Sequence, residues 1–82
     1  PEGSEVYIKP AGKYLPALPA SMSFGELCAA ALAQGESCFG VRIMSEENDA
    51  DRHFGIYINP PKDQVMHLGP RDCLITLAED EC

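Results

Sequence analysis

The sequence predicts an α+β domain: one amphipathic helix packed on a small, mainly antiparallel sheet of four to five strands, in the order β-α-β-β-β. Three observations carry this. A full set of helix start and stop signals lies between Ser23 and Gly35. Short segments of alternating polarity flank that helix on both sides. Clusters of Gly, Pro, Asn and Asp separate these segments from one another.

The first strand is Glu5–Lys9, where Val6 and Ile8 alternate with Glu5, Tyr7 and Lys9 in the period of two expected of a half-buried strand. Pro10 ends it. Pro10, Gly12, Pro16 and Pro19 exclude a regular helix over 10–21, so Tyr14, Leu15 and Leu18 tuck this connection against the body. Ser23 is the N-cap, with Glu26 three residues on to close a capping box, and Met22 and Leu27 are spaced for a hydrophobic staple. Phe24, Leu27, Cys28, Ala31 and Leu32 form one apolar stripe, and Gly35 supplies a left-handed stop, so the helix is expected over about 24–34.

Three strands follow. In Cys38–Met44, Phe39, Val41 and Ile43 face one way with Arg42 opposite; in His53–Ile58, Phe54, Ile56 and Ile58 face one way with Tyr57 opposite. The polar stretch from Ser45 to Arg52 suits the loop between them. Val65–Leu68 is a short extended piece, and Gly69-Pro70-Arg71-Asp72 is a turn into the last strand, Cys73–Ala78. That strand is apolar on both faces, which places it at the centre of the sheet or against a partner. A chain with one helix cannot cover two sheet faces, so a homodimer through the open face or an edge is expected.

The 82 residues form a single domain, 1–82, with room for one modest core. Thirteen acidic against six basic residues give a net charge of −7, which opposes binding to phosphate backbones and anionic lipid; no nucleic-acid partner is expected. No run approaches the ~18 apolar residues that span a bilayer, so this segment does not itself insert into a membrane. Pro1-Glu2-Gly3-Ser4 has neither a basic nor an apolar signal region, and the chain reads as a piece of something longer.

The four cysteines, Cys28, Cys38, Cys73 and Cys82, make no CxxC pair and stand at no zinc spacing from His53 or His67. The count alone leaves disulfides open. Cys28, Cys38 and Cys73 sit in apolar segments, where a free thiol acts as a small hydrophobe, while Cys82 ends an acidic terminus.

Glu47, Asp49 and Asp51 place carboxylates at alternate positions, as an EF-hand loop begins. The sixth position would then be Arg52 in place of Gly, and the twelfth Ile58 in place of Glu. A solvated loop is the plainer reading, with calcium binding as the sharper one; the terminal Glu79-Asp80-Glu81 run is weighed the same way. The calcium candidates are thus Glu47, Asp49, Asp51, Glu79 and Asp80. No nucleophile-base-orienter pattern, phosphate loop or HExxH run occurs, so no enzyme activity and no catalytic residue are expected, a thiol enzyme using Cys38 or Cys73 included.

A further set of residues resembles a family. Glu5-x-Tyr7-Ile8-Lys9, Phe24-x-Glu26-Leu27, Cys38-x-Gly40-Val41-Arg42, Ile56-x-Ile58-Asn59-Pro60 and Val65-x-x-x-Gly69-x-x-Asp72-x-Leu74, closing on Ala78-Glu79-Asp80, are similar in order and spacing to the C-terminal subdomain of RCK (TrkA-C-like) gating modules, especially those of CASTOR/POLLUX-type ion channels. The chain departs from that pattern in the length of its Pro-rich stretch 10–21 and in the expanded turn Gly69–Asp72. The resemblance implies a regulatory, ligand-sensing and subunit-contact role in a potassium or other cation channel, on the cytoplasmic side of a membrane. It implies a Rossmann-like N-terminal half of the same module as partner, a tetrameric gating ring, and calcium among the possible ligands. The alternative is a free-standing protein-interaction module with a β-grasp-like sheet.

Overall fold

A computed structural model describes residues 4–79. Six strands and one α-helix follow in the order β1 (Ser4–Pro10), β2 (Ala20–Ser23), α1 (Phe24–Leu32), β3 (Ser37–Arg42), β4 (Ile56–Ile58), β5 (Val65–Leu68) and β6 (Cys73–Glu79). Four strands form the main sheet in the order β1-β6-β3-β4, and β2 pairs with β5 in a separate ribbon. Every pairing is antiparallel. The fold is α+β, as expected, with β6 at the centre of the sheet.

Strand β2 has no counterpart in the sequence reading, which assigned these residues to the connection and the helix cap. Ala-Ser-Met-Ser carries no β-branched residue; what makes it a strand is β5 alongside, with Met22 opposite Met66 and Ala20 opposite Leu68. Pairing context here outweighs propensity. The segment leading into β5 also serves the helix, whose first two amides donate to the carbonyls of Gln64 (2.9 Å, from Phe24) and Lys62 (2.8 Å, from Gly25).

The helix start is as expected. The Glu26 amide donates to Ser23 Oγ (3.2 Å) and the Ser23 amide to Glu26 Oε1 (2.8 Å), a reciprocal capping box. Phe24, Leu27 and Ala31 are buried. The helix ends two residues earlier than expected, the chain reversing through Gly35 at φ +78. Leu32 is 69% exposed, against its assignment to the apolar stripe. At ~100° per residue it lies about 90° from the middle of the buried face, beyond the edge of the sheet.

Three further corrections concern the sheet. Val6 and Ile8 are 60% and 50% exposed; in β1 the covered face takes Tyr7 and Lys9, and the aliphatic pair looks outward. In β3 a bulge between Cys38 and Gly40 shifts the alternation, so Cys38 and Val41 face the core together while Gly40 and Arg42 face out. The expected strand His53–Ile58 shrinks to Ile56–Ile58, because Ala50–Gly55 forms 3-10 turns with His53 at φ 55 and Phe54 at φ 57. Gly55 fixes that end: it stands at φ +82, its carbonyl accepts from the Ile43 amide that closes the loop, and any side chain there would collide with the Ile43 carbonyl.

The core lies between the covered face of the sheet and the layer made by α1, the β2–β5 ribbon and the 11–15 turn. Ala11, Tyr14, Leu15, Phe24, Leu27, Val41, Met66, Leu68 and Leu74 meet there. Full burial of a Phe or Leu stabilises by about 1.5–3 kcal/mol. Among the described residues no helix is long and apolar enough to cross a membrane.

Candidate functional site

Among the described residues, the other face of the main sheet has no layer over it. Register places Val6, Leu77 and Ser37 in one row, Ile8, Ile75, Gly40 and Ile58 in the next, and Pro10, Cys73, Arg42 and Ile56 in the third. Of the exposed large hydrophobics, Val6, Ile8, Ile56, Ile58 and Leu77 all belong to this face. Ile75 is 5% exposed because Ile8 and Ile58 close over it across the side-chain-free Gly40. The rows form one contiguous aliphatic patch, of the kind that marks an interaction site.

Arg42 gives the face its charge. Its side chain is half-buried, and its Nε is shielded from solvent with no hydrogen-bond partner among the described residues. A shielded donor of this kind costs free energy until an acceptor reaches it. Strand β4 adds a second feature. The Asn59 amide donates to the Phe39 carbonyl (2.7 Å) and the Ile43 amide to the Gly55 carbonyl (2.7 Å). Residues 55, 57 and 59 therefore turn their backbone groups toward β3, and those of Ile56 and Ile58 point out from the sheet edge. Beyond that edge a groove of about 830 Å³ runs between β4 and Pro60–Pro61, with His53, Tyr57 and Gln64 in its walls.

The acidic residues singled out in the sequence do not converge. Among the described residues no group of three or more His, Cys, Asp or Glu is placed to hold a metal ion. Asp49 Oδ1 accepts from the Asp51 amide (3.0 Å), and Asp49 Oδ2 lies 3.5 Å from Arg52. Glu47 and Asp51 are exposed. Neighbouring Glu46, not singled out, accepts from the Tyr57 hydroxyl (2.6 Å) and lies 3.5 Å from Arg52, and the Tyr57 hydroxyl pKa is raised chiefly by that bond. Glu79 closes β6 beside Ser4; Asp80 lies outside the described residues, as does Cys82.

Two polar arrangements were invisible in the sequence because their members are far apart in the chain. Glu36 is buried under β1 and the 11–13 turn, where it accepts from the Tyr14 hydroxyl, from Lys9 (2.9 Å) and from Lys13 (3.3 Å). The Tyr14 bond, then Lys9, hold its carboxyl down to about 2. On the β2–β5 ribbon, Ser21 Oγ and His67 Nδ1 are 2.7 Å apart as an exposed cross-strand pair. A Gly-x-x-Asp spacing was legible, and its role is structural: Asp72 accepts from the amides of Gly69 (2.7 Å) and Met44 (2.8 Å), joining the turn before β6 to the end of β3.

No protein-family model matches the chain, and no curated protein matches it either. The functional reading therefore rests on the face itself and on the order of motifs in the sequence.

Proposed function

We propose that this domain is a non-catalytic regulatory and subunit-contact domain of the RCK C-terminal type, acting on the cytoplasmic side of a potassium or other cation channel of the CASTOR/POLLUX kind. The uncovered aliphatic face of the main sheet carries the reading. A domain whose work is to change its packing against another subunit needs a face that is stable enough to fold over yet left without an internal cover. The motif order from Glu5 to Asp80 supports the family assignment.

The occupant is a second copy of the domain. Strands of seven, seven, six and three residues, rising ~3.4 Å per residue and ~4.8 Å apart, give a face of roughly 380 Å² per copy. Pairing two such faces buries on the order of 750 Å², the size of a weak or transient interface. With the two-fold axis running across the strands between the faces, the Glu79 end of β6 in one copy lies over the Arg42 end of β3 in the other. In the parent channel such dimers build the tetrameric gating ring beside the Rossmann-like half. A ligand, calcium among the candidates, gates by binding two arrangements of the ring with different affinity.

Sedimentation equilibrium tests the contact. The domain is expected to dimerise at micromolar to millimolar concentrations, and Ile8→Asp with Ile58→Asp to make it monomeric with unchanged far-UV circular dichroism. Monomers in the unsubstituted protein across that range would overturn the contact. A calcium titration of the assembled ring, followed by calorimetry, decides the calcium version; silence at millimolar calcium removes it.

A further inference from the structure

On its covered side the main sheet meets the helix through two thiols. Cys28 lies beside the buried stripe of α1 and is partly buried; Cys38 is the second residue of β3, just before the bulge, and is 9% exposed. The Cys28 thiol donates to the Cys38 carbonyl at 3.3 Å, and the Cys38 thiol to the Gly40 carbonyl at 3.3 Å. From the first of these distances and standard backbone dimensions, Cys28 Sγ lies no more than about 6 Å from the Cys38 Cα. To bond, the Cys38 side chain has to turn from the Gly40 carbonyl toward Cys28, with the two Cα atoms within about 7 Å of each other. Burial first, and the neighbouring Cys28 thiol to a lesser degree, hold the Cys38 thiol above its usual range.

The third described thiol does not compete. Cys73 pairs in register with Arg42 and Pro10 and lies in the row of the open face, whereas Cys38 pairs with Thr76 on the covered face. The sheet itself separates them. Cys28 and Cys38 are joined by the end of the helix and the reversal at Gly35, so the ring that a bond would close is short and already formed.

We infer that Cys28 and Cys38 are a thiol–disulfide modification site, at which Cys28 accepts a small-molecule disulfide and Cys38 resolves it into an intrachain bond. In the first step the Cys28 thiolate attacks one sulfur of the reagent disulfide. A Cys28–reagent bond forms, the reagent's own S–S bond breaks, and one reagent thiolate leaves. In the second step the Cys38 thiolate attacks Cys28 Sγ, the mixed disulfide breaks, and the second reagent thiolate leaves. Two electrons and two protons pass from the cysteines to the reagent disulfide, which ends as two thiols. Burial holds the Cys38 thiol up near about 11, so its thiolate is scarce at neutral pH and the second step is the slow one. The product fastens α1 to β3 next to the bulge, on the reverse of the row that carries Gly40 and Ile75.

The test treats the folded, reduced protein with oxidised glutathione, blocks remaining thiols with N-ethylmaleimide, and maps disulfides by mass spectrometry without reduction. Cleavage after glutamate separates residues 27–36 from 37–46, so the bond appears as a linked peptide pair. Expected are transient glutathione on Cys28 and its conversion to the Cys28–Cys38 pair, about tenfold faster per pH unit on moving from neutral to alkaline pH. Cys38→Ser should leave glutathione standing on Cys28, and Cys28→Ser should leave Cys38 unmodified in the folded state. A mixed disulfide that persists on Cys28 at alkaline pH in the unsubstituted protein overturns the proposal. So does pairing of Cys28 with Cys73 or Cys82, or pairing between chains only.

Discussion

Glu36 is fixed by donors from two other parts of the chain, Lys9 on β1 and Lys13 and Tyr14 on the turn after it. Because the Tyr14 and Lys9 bonds pull its carboxyl from 4.5 down to about 2, the folded state favours the carboxylate. The stability this contributes is complete above pH ~5 and is lost as pH falls from 4.5 toward 2. Tyr14 is shifted the other way: burial first, then the bond to Glu36, raise its hydroxyl from 10 to about 12, so its share is present below pH 10 and lost as pH rises through about 12. Urea denaturation at stepped pH should show the acid loss in the unsubstituted protein and a flatter acid limb in Glu36→Gln. Asp72 acts by a different route. Asp72→Ala would leave the Gly69 and Met44 amides without their acceptor and is expected to cost about 2 kcal/mol by urea denaturation. The Asp72 turn was legible in the sequence as a Gly-Pro-Arg-Asp string, since the Gly69 amide is three residues away; its bond to the distant Met44 amide was not. Nothing local marks Glu36, whose donors lie more than twenty residues away.

At the scale of elements, the helix was readable because its start is written in adjacent residues: the cap, the box and the stripe all fall within ten positions. Ser23→Ala should cost about 1 kcal/mol of stability by chemical denaturation, with the helix fraying from its first turn. The strands were readable as segments and misread as faces. Alternation says that a strand has two sides; it does not say which side is covered. Both sides of β6 carry enough apolar surface to fill either role, and in β1 it is the more polar side that is covered. In β3 one extra residue at the bulge moved Cys38 to the core and Phe39 out of the expected set. In β4 the left-handed pair His53 and Phe54, steered by Gly55, replaced half of the expected strand with turns. Bulges and left-handed turns at non-glycine residues depend on neighbours the chain meets only after folding.

At the scale of the whole molecule, the two faces of the sheet predict two different responses to substitution. Leu74 is 0% exposed on the covered face, and Leu74→Ala is expected to cost about 2–5 kcal/mol in urea denaturation of the monomer. Ile8→Thr on the open face should leave monomer stability within about 1 kcal/mol while weakening self-association, read by sedimentation. If both variants lose stability equally, the open face is not a contact surface. An acidic chain with an aliphatic face is also expected to associate more tightly as salt screens its net charge of −7.

The uncovered face was anticipated from the count of one helix against a strand apolar on both sides. Its composition was not, because that required knowing that Val6 and Ile8 line up with Leu77 and Ile75, and Gly40 with Ile58. The sequence by itself determined the class, the helix and its cap, and the surplus of apolar surface, while the last strand was left at the centre of the sheet or against a partner. All of these depend on neighbours within a turn or two of chain. Tertiary structure alone decided which side of β1 is buried, the pairing of β2 with β5, the Glu36 cluster and the meeting of Cys28 with Cys38. Each joins residues brought together only by register and packing, whose free energy is shared across the core and leaves no local mark in the chain.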